Sequence, residues 1–175
     1  MKFRFPAFLM LFSVAITNGC NTDTETADVN AASDPTVLLE SAPETALSLT
    51  EVKELYDAEE STPPEELTLV GKVDAGEFEA FEPGSATFML SELPDEAHTG
   101  GDPEHADNCP FCKRRAANAP KAVVQIIDNA GSVRETRADQ LAGLAKGDVV
   151  TVSGKATYDA DVNTITIQSQ KIHVR

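Results

Sequence analysis

The sequence of 175 residues contains no tryptophan, two tyrosines and three cysteines, and it has few basic residues. Its 14 Lys and Arg stand against 29 Asp and Glu, which gives a formal net charge of −15. Nucleic-acid binding requires clustered cations that displace counterions from phosphates, together with exposed aromatic rings on which bases stack. From residue 65 onward the chain still has 11 basic against 18 acidic residues. The composition therefore disfavours nucleic acid and anionic membrane surfaces as partners.

Long hydrophobic runs are also scarce, and the one present is PAFLMLFSVAI at residues 6–16, which follows Lys2 and Arg4. It is too short to span a bilayer as a stable helix, and a positive start before an apolar core is typical of an export signal. The segment resembles a bacterial lipoprotein signal, in which the cysteine after the signal becomes the lipidated first residue. This resemblance implies a signal peptide over residues 1–19, a lipid anchor to the membrane at Cys20, and a place in the cell envelope facing the periplasm or the exterior. The alternative is an ordinary secretory signal that leaves Cys20 unmodified.

The next part of the chain divides into a polar segment and a short helix. Residues 20–46 are rich in acidic and small residues without apolar periodicity, which predicts a disordered acidic tether. Residues 47–62 contain SLTEVKELYDAEE, where Ser48 and Glu51 have the spacing of a helix capping box. Apolar residues recur at helical spacing after this box, so the segment predicts a short helix.

Residues 65–175 carry five apolar segments with the character of β-strands. They are LTLVGKV, ATFML, AVVQIID, DVVTVSGKATY and TITIQSQKIHV, and ADQLAGLAKG predicts a short helix between the third and the fourth. Gly71 and Gly154 interrupt two strands, and such glycines often mark sharp bends. In the fifth strand the apolar residues occupy odd positions first (Ile165, Ile167) and even positions later (Ile172, Val174). A regular strand cannot turn both sets to one face, so this change of parity predicts a β-bulge near residues 169–171. The predicted fold class is all-β, a small five-stranded OB-like Greek-key barrel with one or two short helices, preceded by the disordered tether.

Four passages carry a family resemblance: LTLVGKVDAG, AVVQIIDNAG, LAGLAKGDVVTVSGKATYD and NTITIQSQKIHV. Their order resembles the OB-fold domains of the tRNA-anticodon-like superfamily. The preceding LTEVKELYDAEE is similar to the helix that opens the exported, lipoprotein-type members. The resemblance covers about residues 48–175 apart from an insertion at 92–120. It implies the fold but leaves the ligand open, because OB-folds bind oligonucleotides, sugars, haem and proteins.

The insertion at residues 92–120 is far longer than a usual hairpin loop, and long loops in compact domains are often functional. It contains HTGGDPEHADNCPFC, with two of the three histidines and two of the three cysteines of the chain. The CxxC spacing of Cys109 and Cys112 allows two thiolates to hold one ion. With His98 and His105 they form a Cys2His2 set that suits tetrahedral Zn²⁺ or Cu(I).

Two other interpretations of the same residues stay open. CPFC is similar to the active-site motif of glutaredoxins, in which the first cysteine begins a helix and has a lowered pKa. The residues before it, DPEHADN, do not form the buried strand that this family has there. Alternatively, Cys109 and Cys112 form a structural disulfide in a protein- or oligonucleotide-binding module. Lys113 stands where a CxxCH haem motif requires histidine, which disfavours covalent haem attachment.

No Ser/His/Asp arrangement or phosphate-binding glycine loop is present in the sequence, so it does not indicate an enzyme. The remaining histidine, His173, lies opposite in parity to the apolar residues of the last strand and is predicted to be exposed. The sequence thus predicts an exported lipoprotein that acts as a binding module for an unidentified protein or small ligand. An envelope thiol–disulfide protein is the alternative.

Overall fold

The computed structural model describes residues 33–58, 62–102, 105 and 108–175. The regular elements of this part of the chain are a 3₁₀ turn at Pro35–Val37, α1 (Leu49–Asp57), β1 (Glu66–Val73), β2 (Thr87–Ser91), α2 (Glu96–Thr99), α3 (Pro110–Asn118), β3 (Lys121–Ile126), α4 (Ala138–Ala142), β4 (Val149–Asp159), β5 (Thr164–Ser169) and β6 (Ile172–Val174). None of the helices in these ranges has the length and apolar composition needed to cross a membrane.

Strands β1 to β5 close into a barrel. The pairing runs β1–β2–β3–β5–β4, and β4 returns to β1. Neighbours are antiparallel except β3 and β5, which are parallel. The closing β1–β4 ladder is the longest, from Glu66 opposite Lys155 to Lys72 opposite Val149. The predicted all-β class and five-stranded OB-like barrel are therefore confirmed.

Alternate residues of the strands fill the interior of the barrel. In β1 and β3, buried and half-buried positions alternate along the strand, as expected when one face of a sheet packs on a core. The largest fully buried side chains are Phe88, Leu49, Leu69, Leu90, Ile126, Ile165, Ile167 and Ile172. Each such side chain contributes roughly 1.5–3 kcal/mol relative to an exposed position. The core thus lies within the barrel and under α1, away from the insertion at 92–120.

Two glycines permit close approaches between barrel strands. A Cβ atom at Gly154 would lie 1.9 Å from the carbonyl oxygen of Gln168 on β5. A Cβ atom at Gly71 would lie 3.0 Å from both the Leu90 Cβ and the Ser91 carbonyl oxygen on β2. At Gly154 only glycine leaves room for the neighbouring backbone, and at Gly71 a side chain would crowd β2.

The predicted bulge lies between β5 and β6. Lys155 pairs with Gln168 and Val152 pairs with Ile172, so three steps along β4 correspond to four steps along the opposing chain. The extra residue falls between positions 168 and 172, as the change of parity predicts. The Ser169 hydroxyl lies 2.7 Å from the Ser153 carbonyl oxygen and 2.6 Å from that of Lys171, which holds the bulged turn. The bulge allows the apolar side chains of both β5 and β6 to enter the core.

Helix α1 begins with the predicted capping box. The Ser48 hydroxyl accepts the backbone N–H of Glu51 (3.2 Å), and the Glu51 carboxylate accepts that of Ser48 (2.7 Å). The helix ends at Asp57, earlier than the predicted range of 47–62, and residues 59–61 lie outside the described residues. Helix α4 is also shorter than the predicted ADQLAGLAKG segment, because Gly143 adopts a left-handed conformation (φ 68°) and ends it.

The described end of the predicted tether is ordered on the barrel, which differs from the prediction of disorder over residues 20–46. Val37 is only 2% exposed. The backbone N–H of Asp34 donates to the Leu141 carbonyl (2.7 Å), and that of Leu39 donates to the Ile172 carbonyl (2.8 Å). The segment packs here because the edge of β6 that does not pair with β4 accepts Leu38 and Leu39. The acidic composition of the segment itself gives no indication of this edge. Residues 20–32 lie outside the described residues.

We expect Gly154→Ala to lower the free energy of unfolding by about 3 kcal/mol, because the added methyl group overlaps a backbone carbonyl that the barrel holds in place. Denaturant unfolding measures this loss. The control is Gly76→Ala, where no atom lies within 4 Å of the added Cβ and the only strain comes from the positive φ of 68°. The control should cost about 1–2 kcal/mol, and equal losses for both variants would contradict the close approach at Gly154.

Candidate metal centre

The first half of the insertion is the short helix α2, which carries His98 in its last turn. Its N-cap is Asp95, whose carboxylate accepts the backbone N–H of Ala97 (3.1 Å). Its C-cap is Gly100, with φ of 63°, and Gly101 follows with φ of 79°. Two successive left-handed glycines reverse the chain, a conformation that other residues adopt only at a cost.

The second half of the insertion is helix α3, and the CPFC motif forms its beginning. Cys109 is the N-cap residue, and its Sγ accepts the backbone N–H of Cys112 (3.3 Å). Pro110 occupies the first helical position, where its missing N–H and fixed φ cost nothing. The backbone N–H of Cys109 donates to the His105 carbonyl (2.9 Å), which links this histidine to the start of the helix.

An ion pair joins the two halves of the insertion. The Arg115 guanidinium on α3 donates to the Asp95 carboxylate at the start of α2 (2.8 Å). The Arg115 hydrogen bond holds the pKa of the Asp95 carboxyl below its usual range. The Arg115 and Asp95 side chains are 64% and 38% exposed, so the pair adds little stability, but it links α3 to the start of α2. Sequence reasoning missed this pair, because contacts between separate elements leave no periodic pattern.

The four residues predicted as metal ligands converge on one point. One ligand atom from each of His98, His105, Cys109 and Cys112 lies within 4.8 Å of all the others. His98 Nε2 is 3.9 Å from Cys109 Sγ. The two imidazole rings meet edge to face, with centroids 5.3 Å apart. The histidines are exposed and the cysteines are half-buried free thiols.

The donor set of this cluster fits a tetrahedral ion. Bond lengths of about 2.3 Å to sulfur and 2.0–2.1 Å to nitrogen place the ligand atoms of a tetrahedron roughly 3.3–3.8 Å apart. The 3.9 Å between His98 and Cys109 is close to this range. The wider separations, up to 4.8 Å, would have to shorten on metal binding, and the two imidazoles that would move are exposed. Two thiolates and two imidazoles are the ligands that Zn²⁺ and Cu(I) prefer.

The two thiols differ in acidity because they share a hydrogen bond. The Cys112 side chain, the His98 ring and the Cys112 backbone N–H stabilise the Cys109 thiolate and lower the pKa of Cys109 to about 6. The same hydrogen bond, which Cys112 donates, raises the pKa of Cys112. Cys109 is therefore the thiolate of the pair near neutral pH, in the form that binds metals and attacks disulfides.

Two other residues singled out in the sequence lie outside this cluster. Cys20, the predicted lipidation site, lies outside the described residues. His173, predicted to be exposed, is instead half-buried, and its Nδ1 is buried without a hydrogen-bond partner among the described residues. The prediction was wrong because β6 is flanked by β4 on one side and by residues 38–39 on the other.

We expect the alkylation rate of reduced, metal-free Cys109 to rise with pH through a midpoint of about 6, because iodoacetamide reacts with the thiolate and the thiolate predominates above the pKa. Mass spectrometry of the modified peptides measures the rate at each position. His98→Ala should move this midpoint upward, since one stabilising hydrogen bond is lost. A midpoint near the usual thiol pKa in the unaltered protein would contradict the geometry of the pair.

Comparison with known proteins gives little further information about the candidate site. No protein-family model matches the chain. No curated protein matches it either. Among solved structures, the chain is similar to an aspartyl tRNA synthetase from Entamoeba histolytica, with 14% identity and a TM-score of 0.38. The match covers 98% of this chain and 28% of the synthetase chain, so the chain spans less than a third of that protein. The OB-like fold therefore rests on the strand pairing itself.

Proposed function

We propose that the protein is an exported lipoprotein of the bacterial cell envelope, and that its OB-like barrel presents a metal-binding loop. The observation that carries the metal assignment is the convergence of two imidazoles and two thiols within 4.8 Å. The four residues come from a segment of the chain that contains two of its three cysteines and two of its three histidines. A single ion of Zn²⁺ or Cu(I) accounts for all four residues together.

The position of the cluster favours a binding role over a structural one. The barrel core does not depend on the insertion, since all the largest fully buried side chains lie outside residues 92–120. An ion held by exposed histidines at the surface is accessible to exchange and to a partner protein. We therefore propose a binding or assembly module in the envelope, anchored through lipid at Cys20, with the ion as its functional element.

Metal binding is tested by elemental analysis of protein prepared under reducing conditions with Zn²⁺ or Cu(I). We expect about one ion per chain, as four protein ligands complete a tetrahedral site. Cys109→Ser and His98→Asn should each remove the bound ion during gel filtration. The matched control is His173→Asn, which removes the histidine outside the cluster and should keep the ion. A stoichiometry that is the same in all four proteins would contradict the proposal.

A second candidate function, thiol–disulfide exchange, is favoured by one observation. Cys109 is the N-cap of α3, and the Cys112 N–H donates to its sulfur, so the helix terminus stabilises a thiolate there. In an exchange reaction this thiolate attacks one sulfur of a substrate disulfide, which forms a mixed disulfide and releases the other substrate sulfur as a thiolate. Cys112 then displaces the second thiol, leaving Cys109 and Cys112 oxidised and the substrate reduced. Rapid equilibration of the metal-free pair with glutathione disulfide, in a protein that retains no ion, would favour this function over metal binding.

The lipid anchor has its own test. Expression of the full sequence in a bacterium with a labelled fatty acid should place the label on the protein and the protein in the membrane fraction. Cys20→Ser should lose the label and shift the protein to the soluble fraction, because the acyl chains attach to that sulfur. The control is Cys112→Ser, which keeps Cys20 and should stay labelled. Labelling that persists in Cys20→Ser would contradict the anchor.

A further inference from the structure

A cavity of about 440 Å³ lies between the insertion and the barrel, directly beside the Cys/His cluster. Residues near the ends of β1 and β2, the start of β3, and helices α2 and α3 contribute to its walls. His98 and Cys112 of the cluster also line it. The volume is within the range of small-molecule binding sites, and its place at the junction of separate elements is typical of them.

Among the described residues, three lysines line this cavity without an ion pair to a carboxylate. Lys72, Lys113 and Lys121 belong to its walls, and none of their side chains forms an ion pair with another described residue. This is a local excess of positive charge in a chain whose formal net charge is −15.

The carboxylates in the cavity walls are already engaged elsewhere. Asp74 pairs with Lys146 (3.1 Å), and its attraction to Lys72 is a weaker, longer-range one. Asp95 pairs with Arg115 (2.8 Å). These two acids therefore leave the three lysines uncompensated.

The third carboxylate of the walls, Glu92, serves helix α1. It accepts the backbone N–H of Thr50 (2.8 Å) and the Thr50 hydroxyl (2.9 Å). It lies at the helix N-terminus, where a negative charge is favoured by the helix dipole. Even if Glu92 is set against one of the three lysines, two positive charges remain among the described residues that line the cavity.

Part of the cavity wall is apolar. Leu93 and Pro94 precede α2, and Phe111 and Ala116 belong to α3. Phe111 is 76% exposed, so its ring is free to cover a bound molecule. A simple inorganic anion would satisfy the lysines without using this surface, whereas an organic body would contact it.

We infer that this cavity is a binding site for a small organic dianion, either a dicarboxylate or a phosphate monoester. Two excess ammonium charges match two negative charges, and charge-assisted hydrogen bonds from lysine suit both kinds of oxygen. The apolar wall supplies contacts for the carbon skeleton. The inference goes beyond the proposed metal site, because the lysines that carry it are not metal ligands. A ligand in the cavity would lie beside His98 and Cys112 and would be presented to an ion held there.

Calorimetric titration of the reduced protein with succinate and with phenyl phosphate tests the site and separates the two ligand classes. We expect saturable binding of at least one of them with a Kd of about 1 mM or below. Inorganic phosphate should bind more weakly than phenyl phosphate, since it makes no contact with the apolar wall. If neither succinate nor phenyl phosphate shows saturable binding, the proposal is overturned. If phenyl phosphate binds, an equal affinity for inorganic phosphate would also overturn it.

Charge-removal variants locate the binding. Lys113 is exposed on α3, so Lys113→Met removes a charge at the surface of the helix. Lys72→Met and Lys121→Met each remove a charge from a barrel strand and keep an apolar side chain of similar length. Each should weaken binding by about tenfold, as expected for the loss of a charge-assisted hydrogen bond. The control is Lys155→Met, which removes a lysine on β4 outside this cavity. Equal weakening by the control would show general charge attraction and would overturn the site.

Binding should occur in protein with and without Zn²⁺, which separates this inference from the metal proposal. If the protein holds no ion but the lysine variants lose the dianion, the metal proposal fails and the cavity stands. If the ion binds and no dianion does, the cavity fails and the metal proposal stands. Circular dichroism of each variant, compared with the unaltered protein, confirms that the barrel is intact.

Discussion

The pairing of β2 with β3 is the constraint on which the candidate site depends. Leu90 lies opposite Ala122 in this ladder, so residues 92–120 leave and re-enter the barrel at neighbouring points. Closing a loop of this length costs chain entropy that grows only slowly with length, and the barrel core offsets it. Both ends of the insertion are fixed on the barrel, and the Asp95–Arg115 ion pair links the start of α2 to α3. The convergence of the imidazoles and thiols follows from this arrangement.

Charge in this protein is distributed unevenly, and the unevenness bears on function. The chain as a whole is strongly acidic. Around the insertion, however, basic residues follow the cysteines on α3, and Lys72 and Lys121 add charge from the barrel. The lysines favour anionic ligands in the cavity, whereas hydrogen bonds from Cys112 and His98 favour the thiolate at Cys109. The proposed metal site therefore adjoins the proposed dianion site, because His98 and Cys112 line the same cavity as the three lysines.

The features that the sequence predicts well are local ones. The capping box of α1 needs only residues three apart, and the bulge near 169–171 follows from a change of parity within one strand. Gly154 stands out because a glycine within an apolar alternation usually marks a bend or a close approach of another backbone. The predictions that were wrong concern contacts with distant segments: Val37 packs on the barrel from within a predicted tether, and His173 is half-buried. No local pattern indicates a partner that comes from the other end of the chain.

The sequence by itself determined the all-β class, the positions of the strands and the identity of the four candidate ligands, because alternation, turn residues and side-chain chemistry are properties of short segments. Only the tertiary structure decided that the four ligands meet within 4.8 Å and that three lysines from separate elements face one cavity. The physical reason is that these distances depend on how the barrel closes and how α2 and α3 pack against it. The positions of α2 and α3 depend on the β2–β3 pairing that fixes both ends of the insertion and on contacts between separate elements, such as the Asp95–Arg115 ion pair, which no one segment encodes.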